Sequence, residues 1–135
     1  MEQGIQLFSS TIIEAVAKNK RFLKNRPAYI FPFARIAARI KKAAAVREAL
    51  ARDEGLIVPP VLILSVTNDC NLACAGCYAC SQQRDRSAEL SMDDIRRVVG
   101  EAVALGVCIV MIAGGEPLLK PGILSLPHAF PDTLF

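Results

Sequence analysis

Three cysteines that directly follow a short apolar run constrain this 135-residue chain more than any other feature. Residues 61–66 are apolar and rich in β-branched side chains, as expected for a buried strand, and Cys70, Cys74 and Cys77 lie on the loop after it. Thiolates are soft ligands, so a set of cysteines alone favours an iron–sulfur cluster or zinc over hard cations. Structural zinc usually takes a second pair of Cys or His residues further along, and no such pair follows at a suitable distance. The spacing therefore indicates an iron–sulfur cluster with one iron left open.

A predicted helix and a second predicted strand follow the cysteine loop. Ser91 is expected to cap a helix that Gly106 ends, and residues 107–113 form another β-rich apolar run. The buried stripe of that helix is expected to consist of Ile95, Val98, Val99, Ala102 and Leu105. The first strand shows no alternation of apolar and polar residues, which predicts a central parallel strand covered on both faces.

This strand–helix–strand order predicts a right-handed βαβ unit. The sequence Gly114-Gly115-Glu116-Pro117 follows the second strand as the cysteines follow the first. Both segments should then lie at the carboxyl ends of neighbouring parallel strands, the edge at which α/β barrels and open α/β sheets carry their chemistry. The two segments are therefore expected to share one site.

Cys70-x3-Cys74-x2-Cys77 and the later Gly-Gly-Glu-Pro turn together resemble the radical S-adenosylmethionine (radical SAM) enzymes. The resemblance covers roughly residues 57–135. It implies that the three cysteines bind three irons of a 4Fe-4S cluster, and that S-adenosylmethionine chelates the fourth. Many members have an aromatic residue beside the adenine, just before the third cysteine. This chain has Gly76 at that position and Tyr78 directly after the cysteine, and Tyr78 is the candidate for the nucleoside contact.

The resemblance also assigns a role to the second motif and an overall reaction. Gly114 and Gly115 can bring peptide groups close to a ligand, because glycine adopts conformations closed to other residues. By resemblance, Gly114, Gly115 and Glu116 accept hydrogen bonds from the amino group of S-adenosylmethionine. The implied enzyme cleaves S-adenosylmethionine reductively to a 5′-deoxyadenosyl radical, which abstracts a hydrogen atom from an unknown substrate. A low-potential electron donor, flavodoxin or ferredoxin, is implied as partner. No side chain is assigned as catalytic beyond these cofactor contacts.

Cys80 supports an alternative, because it continues the spacing as Cys74-x2-Cys77-x2-Cys80. A fourth thiolate would occupy the iron that S-adenosylmethionine needs. In that case the chain would be a non-catalytic iron–sulfur electron-transfer module or a zinc-binding module. Replacement of Cys80 by Ala would separate the two functions. A third hypothesis is a remnant that binds a cluster without turnover.

Charge divides the chain into two parts. Residues 1–52 hold eleven Lys and Arg against three Glu, whereas residues 53–135 hold five against ten acidic residues. Apolar periodicity predicts one helix from Ile5 to about Lys24 and a second from Phe33 to Gly55, with Phe33, Ile36, Ile40, Ala44 and Leu50 on its inner side. This basic hairpin could attract an anionic partner, but a solvated helical face is the favoured interpretation. The basic residues are Lys18, Lys20, Arg21, Lys24, Arg26, Arg35, Arg39, Lys41 and Lys42.

The predicted fold class is α/β: a partial (βα) radical SAM barrel of about two βα units, preceded by a helical hairpin. Residues 1–55 are the basic helical extension, and residues 56–135 are the start of a radical SAM core that looks truncated. Residues 118–130 should form a broken helical segment, and residues 132–135 the start of a third strand. Five cysteines without a signal peptide or a long apolar segment favour a cytoplasmic protein with no transmembrane span. Few aromatic residues argue against nucleic acid as a partner, and the unknown substrate could be a peptide.

Overall fold

The structure is a computed structural model, and it describes residues 18, 28, 30–77 and 89–135. Its elements are helix α1 (Ile30–Asp53), strand β1 (Val61–Thr67), helix α2 (Met92–Ala104), strand β2 (Ile109–Gly114), two 3-10 turns (Pro117–Leu119 and Ile123–Ser125) and the short helix α3 (Leu126–Ala129). β1 and β2 pair in parallel, from Val61 opposite Ile109 to Thr67 opposite Gly114. The strand–helix–strand order and the parallel pairing are confirmed, whereas a two-stranded sheet does not establish a barrel.

Helix α2 begins and ends as its sequence predicts. The Ser91 hydroxyl accepts a hydrogen bond from the Asp94 N–H at 3.1 Å, which satisfies one of the free amides of the first turn. At the other end Gly106 has φ +91°, and the Val107 N–H donates to the Ala102 carbonyl at 3.0 Å. This left-handed C-cap reverses the chain toward β2.

The core lies between α2 and one face of the sheet. Ile95 and Val99 of α2 are fully buried against Val66 and Val110 of the strands, and Leu126 of α3 joins the same cluster. The prediction that Leu105 belongs to the buried stripe is wrong. Leu105 is 40% exposed, because it is the C-cap residue and lies beyond the last turn of α2. The predicted burial of Ile95 and Val99 is confirmed.

The expectation that β1 is covered on both faces is wrong for the part of the chain that the structure describes. Ile63 is 66% exposed, and its partner Met111 on β2 is 54% exposed. Successive side chains of a strand alternate between the two faces of the sheet. The core cluster takes up Leu62, Leu64 and Val66 on one face, and Ile63 lies on the other. A continuous apolar run therefore does not by itself show that both faces are packed.

Helix α1 contacts the turn that precedes β2, at Gly106. It starts at Ile30, three residues before the predicted start, and its C-terminus is closed by Gly55, which has φ +68° as its position after the helix requires. Ile40 is buried, and the buried guanidinium of Arg47 donates a hydrogen bond to the Gly106 carbonyl. The first predicted helix, Ile5 to about Lys24, lies outside the described residues apart from Lys18, so the hairpin stays a prediction.

Arg39 differs from its predicted place on a solvated basic face. Its Nε lies 3.0 Å from Asp132 Oδ1, and its side chain is only 17% exposed. Arg35, Lys41 and Lys42 are exposed as expected. The pairing occurs because α1 packs beside the C-terminal segment, which the helical periodicity of α1 alone does not indicate.

The C-terminal segment follows the prediction only in outline. The broken helical segment is present as the two 3-10 turns and α3. β2 starts at Ile109, two residues later than expected, because the Val107 N–H still donates to the Ala102 carbonyl of α2. The N–H groups of Cys108 and Ile109 both donate to the Pro60 carbonyl at 3.1 Å. The expected third strand is a single parallel bridge, Ile109 to Leu134. Within the described ranges, no helix combines the length and apolar character needed to span a membrane.

Candidate iron–sulfur and S-adenosylmethionine site

The two sequence motifs leave neighbouring strands at the same edge of the sheet. β1 ends at Thr67 and leads into the cysteine loop, which we define as residues 68–88. The structure describes this loop through Cys77. β2 ends at Gly114 and leads into the Gly-Gly-Glu-Pro turn, residues 114–117. Thr67 lies opposite Gly114 after a register shift between Ser65 and Thr67. The predicted placement of both motifs at the carboxyl ends of adjacent parallel strands is therefore observed.

Backbone hydrogen bonds join the two motifs directly. The Gly115 N–H donates to the Thr67 carbonyl at 2.9 Å, and the Glu116 N–H donates to the Asp69 carbonyl at 2.7 Å. These bonds continue the parallel pairing past the end of the strands. The beginning of the cysteine loop and the Gly-Gly-Glu-Pro turn consequently form one backbone unit.

The two glycines make this close approach possible. A Cβ on Gly114 would lie 2.4 Å from the Thr67 carbonyl oxygen, and a Cβ on Gly115 would lie 2.2 Å from the Asp69 carbonyl oxygen. Gly114 also has φ +134°, a conformation that residues with a side chain rarely adopt. The sequence indicated that these glycines approach a ligand, but in the structure the nearest atoms belong to the end of β1 for Gly114 and to the cysteine loop for Gly115.

The described part of the cysteine loop carries three cysteines that form no disulfide. Cys70 and Cys74 are exposed and Cys77 is half-buried. The Leu72 N–H lies 3.4 Å from the Cys70 sulfur, and the Cys77 N–H donates to the Cys74 carbonyl at 3.3 Å. Among the described residues, no three His, Cys, Asp or Glu side chains are gathered closely enough to hold a metal ion. The loop thus presents the three sulfurs without gathering them in this conformation.

Gly76 stands just before the third cysteine, where the resemblance led us to expect an aromatic residue, and the backbone conformation there favours glycine. It occupies the third position of the turn from Cys74 to Cys77 and has φ +76°. A positive φ at the third position is what a type II turn requires, and glycine adopts it without strain. No atom lies within 4 Å of a Cβ built there, so the constraint comes from the backbone angle alone. Tyr78, the predicted nucleoside contact, lies outside the described residues.

Glu116 uses its carboxylate within its own turn. One carboxylate oxygen accepts a hydrogen bond from the Leu118 N–H at 3.0 Å, which caps the 3-10 turn Pro117–Leu119. Each carboxylate oxygen can accept more than one hydrogen bond, so this contact leaves acceptor capacity on Glu116. An apolar cavity of about 290 Å³ lies beside this turn, lined by Ile112, Glu116, Pro117, Leu118, Ile123, Leu124, Pro127 and Phe135.

A polar cluster that the sequence interpretation missed supports the same edge. The Asn68 N–H donates to the Glu89 carboxylate at 2.6 Å, the Thr67 hydroxyl donates to it at 3.1 Å, and Lys120 Nζ lies 3.3 Å from its other oxygen. The hydrogen bond from the Asn68 N–H is the main cause that lowers the pKa of Glu89, and Lys120 and Thr67 lower that pKa further. One signal was present in the sequence: Lys120 is the only lysine after Lys42, in an otherwise acidic part of the chain.

Comparison with known proteins gives a consistent family match. Residues 64–128 match the family model described as the Radical SAM superfamily. A GTP 3′,8-cyclase of Synechococcus sp. (strain CC9902) is 48% identical over 60 residues, which cover 44% of this chain and 17% of the relative. A PqqA peptide cyclase of Methylobacterium sp. (strain 4-46) is 39% identical over 77 residues, which cover 57% of this chain and 20% of the relative.

A more distant relative shows the same pattern of coverage. An AdoMet-dependent heme synthase of Methanosarcina barkeri (strain Fusaro / DSM 804) is 29% identical over 75 residues, which cover 56% of this chain and 22% of the relative. The matches thus span about a fifth of the length of these curated relatives. No solved structure matches the chain.

Proposed function

We propose that the chain is a radical SAM protein that binds a 4Fe-4S cluster and S-adenosylmethionine at the edge where β1 and β2 end. The match of residues 64–128 to the Radical SAM superfamily model supports this proposal. Enzymes of this superfamily use these two cofactors. The proposed activity is reductive cleavage of S-adenosylmethionine to a 5′-deoxyadenosyl radical, for hydrogen-atom abstraction from a substrate. When bound, the cluster would supply the electron for that cleavage.

The observation that carries the proposal is the backbone connection between the two motifs. The hydrogen bonds from Gly115 to Thr67 and from Glu116 to Asp69 fix the turn assigned to S-adenosylmethionine against the beginning of the loop assigned to the cluster. A cofactor that must contact both an open iron and the Gly-Gly-Glu-Pro turn needs these two segments side by side. This arrangement favours one shared site over two independent ones.

The donor set fits an iron–sulfur cluster in its chemistry. Cys70, Cys74 and Cys77 are soft donors, none of them forms a disulfide, and Cys70 and Cys74 are exposed to an incoming cluster. Binding would draw the three sulfurs together. Gly114, Gly115 and Glu116 are the proposed contacts for the amino group of S-adenosylmethionine, and Tyr78 is the proposed contact for its nucleoside.

The relatives differ in the substrates that their names give, which include GTP and the PqqA peptide. The proposal therefore commits to the shared S-adenosylmethionine step, with a peptide as the substrate class to test first. A low-potential donor, flavodoxin or ferredoxin, would reduce the cluster. A cytoplasmic location belongs to the same proposal, since none of the described cysteines forms a disulfide and reduced cysteines persist in a reducing compartment.

The test is anaerobic reconstitution with iron and sulfide, followed by reduction and low-temperature EPR with and without S-adenosylmethionine. We expect a 4Fe-4S signal whose shape changes when S-adenosylmethionine is added. Cys70→Ala should abolish that signal. Cys108→Ala is the matched control, because it also removes one thiol, but that thiol is buried and donates a hydrogen bond to the Pro60 carbonyl at 3.6 Å, away from the cysteine loop.

The Cys80→Ala variant separates this proposal from a four-thiolate module. If Cys80 is a bystander, the variant keeps the cluster and its response to S-adenosylmethionine. Loss of the cluster in Cys80→Ala, with no response to S-adenosylmethionine in the unmodified protein, would contradict the radical enzyme and support an electron-transfer or zinc module.

A further inference from the structure

Glu89 joins the two ends of the cysteine loop. It is the first described residue after the loop, three positions before α2 begins, and its carboxylate accepts hydrogen bonds from Thr67 and Asn68, where the loop starts. One side chain therefore closes a loop that contains all three candidate ligands. Asn68, whose N–H is held at 2.6 Å, lies two residues before Cys70.

Lys120 connects this closure to the second motif. It is the C-cap residue of the 3-10 turn that follows Glu116, and its Nζ lies 3.3 Å from Glu89 Oε2. Glu89 thus contacts the end of β1, the start of the cysteine loop and the segment after the Gly-Gly-Glu-Pro turn. These are the segments that carry the proposed cluster and S-adenosylmethionine contacts, but neither Glu89 nor Lys120 belongs to either motif.

The ion pair is shielded from solvent, which distinguishes it from an ordinary surface pair. The side chains of Glu89 and Lys120 are 17% and 13% exposed. By contrast, the pair between Arg97 and Glu101 on α2 has side-chain exposures of 61% and 64%. Exposed pairs contribute little to stability, whereas removal of one partner from a shielded, hydrogen-bonded pair leaves the other charge uncompensated.

We propose that Glu89 and Lys120 are positioning residues that hold the base of the cysteine loop closed and thereby determine how firmly the loop retains its cluster. The inference rests on the proposed function, since it concerns the same loop. Its physical basis is that groups behind the ligands fix ligand orientation, and their replacement commonly lowers metal affinity by about 10- to 100-fold. Closure at Asn68 restricts the backbone from which Cys70 extends.

The first experiment measures the transfer of iron to a chelator from reconstituted, reduced protein. Glu89→Ala removes the hydrogen bonds and the ion pair of the carboxylate. It should speed iron loss by up to about 10-fold, the low end of the effect of groups that bond a ligand directly. Glu89→Gln keeps an acceptor for the Asn68 N–H but loses the charge, so an intermediate rate is expected. Lys120→Met should also speed iron loss, and Lys120→Arg should restore a rate near that of the unmodified protein.

Two controls separate loop closure from general stability. Glu101→Ala removes an exposed ion pair and should leave iron loss unchanged. Arg39→Met removes the pair with Asp132, so it should lower the stability of the fold without accelerating iron loss. If Glu89→Ala retained iron as the unmodified protein does, or if Arg39→Met lost iron as fast at the same loss of stability, the proposal would be overturned.

Amide hydrogen exchange on the iron-free protein tests the closure without the cluster. Glu89→Ala should accelerate exchange in residues 68–77 relative to Glu101→Ala, and equal exchange would overturn the inference. If the unmodified protein takes up no iron and sulfide, the proposed function fails, and so does the role in cluster retention. Normal uptake with equal retention in all variants would overturn this inference alone. If Glu89→Ala does not fold, Glu89→Gln and Lys120→Met provide the same comparison.

Discussion

Replacement of Gly115 by Ala should separate the two motifs of the site. The added Cβ would lie 2.2 Å from the Asp69 carbonyl oxygen and 2.8 Å from its carbonyl carbon, both of which are backbone atoms that no side-chain rotation can move away. Real Cβ atoms essentially never approach another heavy atom below 3.0 Å. The backbone of residues 114–117 or of the cysteine loop must therefore shift.

The magnitude follows from the contacts that this shift breaks. The Gly115 to Thr67 and Glu116 to Asp69 hydrogen bonds, at 2.9 and 2.7 Å, are lost or lengthened. Each such bond contributes about 0.5–1.5 kcal/mol net, and overpacking at a close contact costs about 1–3 kcal/mol. We expect Gly115→Ala to lower the free energy of unfolding by about 2–4 kcal/mol, and to reduce cluster uptake because the loop loses its fixed start.

Urea unfolding and anaerobic iron–sulfide reconstitution measure these two effects. Gly100→Ala is the matched control: it adds the same methyl group inside α2, where the nearest atom is a Phe130 ring carbon at 3.7 Å, an ordinary contact. Alanine is the better helix former, so this control should be neutral or more stable by up to about 1 kcal/mol. A Gly115→Ala protein with unchanged stability and cluster content would refute the steric argument.

Three further predictions concern individual contacts. Arg47→Met should lower the free energy of unfolding by about 1.5–3 kcal/mol, because the substitution removes the charged, buried donor to the Gly106 carbonyl. Urea unfolding measures this loss, and a loss below the error of the fit would contradict the prediction. Ser91→Ala should lower the free energy of unfolding by about 1 kcal/mol, because the hydroxyl that accepts the Asp94 N–H at the start of α2 is lost. A lower thermal midpoint of unfolding would show this loss, and an unchanged midpoint would argue against the cap. The pKa of Glu89 is lowered in the folded chain, so its stabilisation should be fully present above its ordinary value of 4.5 and lost as pH falls through the lowered pKa. Acid unfolding of Glu89→Gln should lack this contribution, and superimposable acid curves would contradict it.

Local sequence signals were sufficient for the elements that make up the βαβ unit. The first strand was expected over residues 61–66 and is found at Val61–Thr67. The helix was expected to start after its Ser91 cap and to end at Gly106, and it spans Met92–Ala104. These features are set by neighbours along the chain: β-branched runs, a capping hydroxyl and a glycine at positive φ. Where such a signal is present, the sequence is a sufficient guide to the element.

Features that depend on contacts between distant segments could not be predicted in the same way. The exposed face with Ile63 and Met111, the pairing of Arg39 with Asp132 and the closure of the cysteine loop by Glu89 all involve residues that are far apart in sequence. The apolar periodicity of a sequence describes one helix or strand at a time, and it does not show which other segment of the chain packs against that element. The assignment of the three cysteines as a donor set stays a prediction, and the backbone and side chains that hold the start of their loop could not be predicted.

The two edges of the sheet differ in their contacts and in their proposed roles. At the edge where the strands begin, α1 is held by Arg47 on the Gly106 carbonyl, and the Pro60 carbonyl accepts the N–H groups of Cys108 and Ile109. At the opposite edge the strands end in the two motifs, as α/β folds place their sites. Changes at the first edge should therefore alter unfolding without altering how a cluster is held. Changes at the second edge should alter both, because the backbone that positions the thiols is also the last part of the strand pairing.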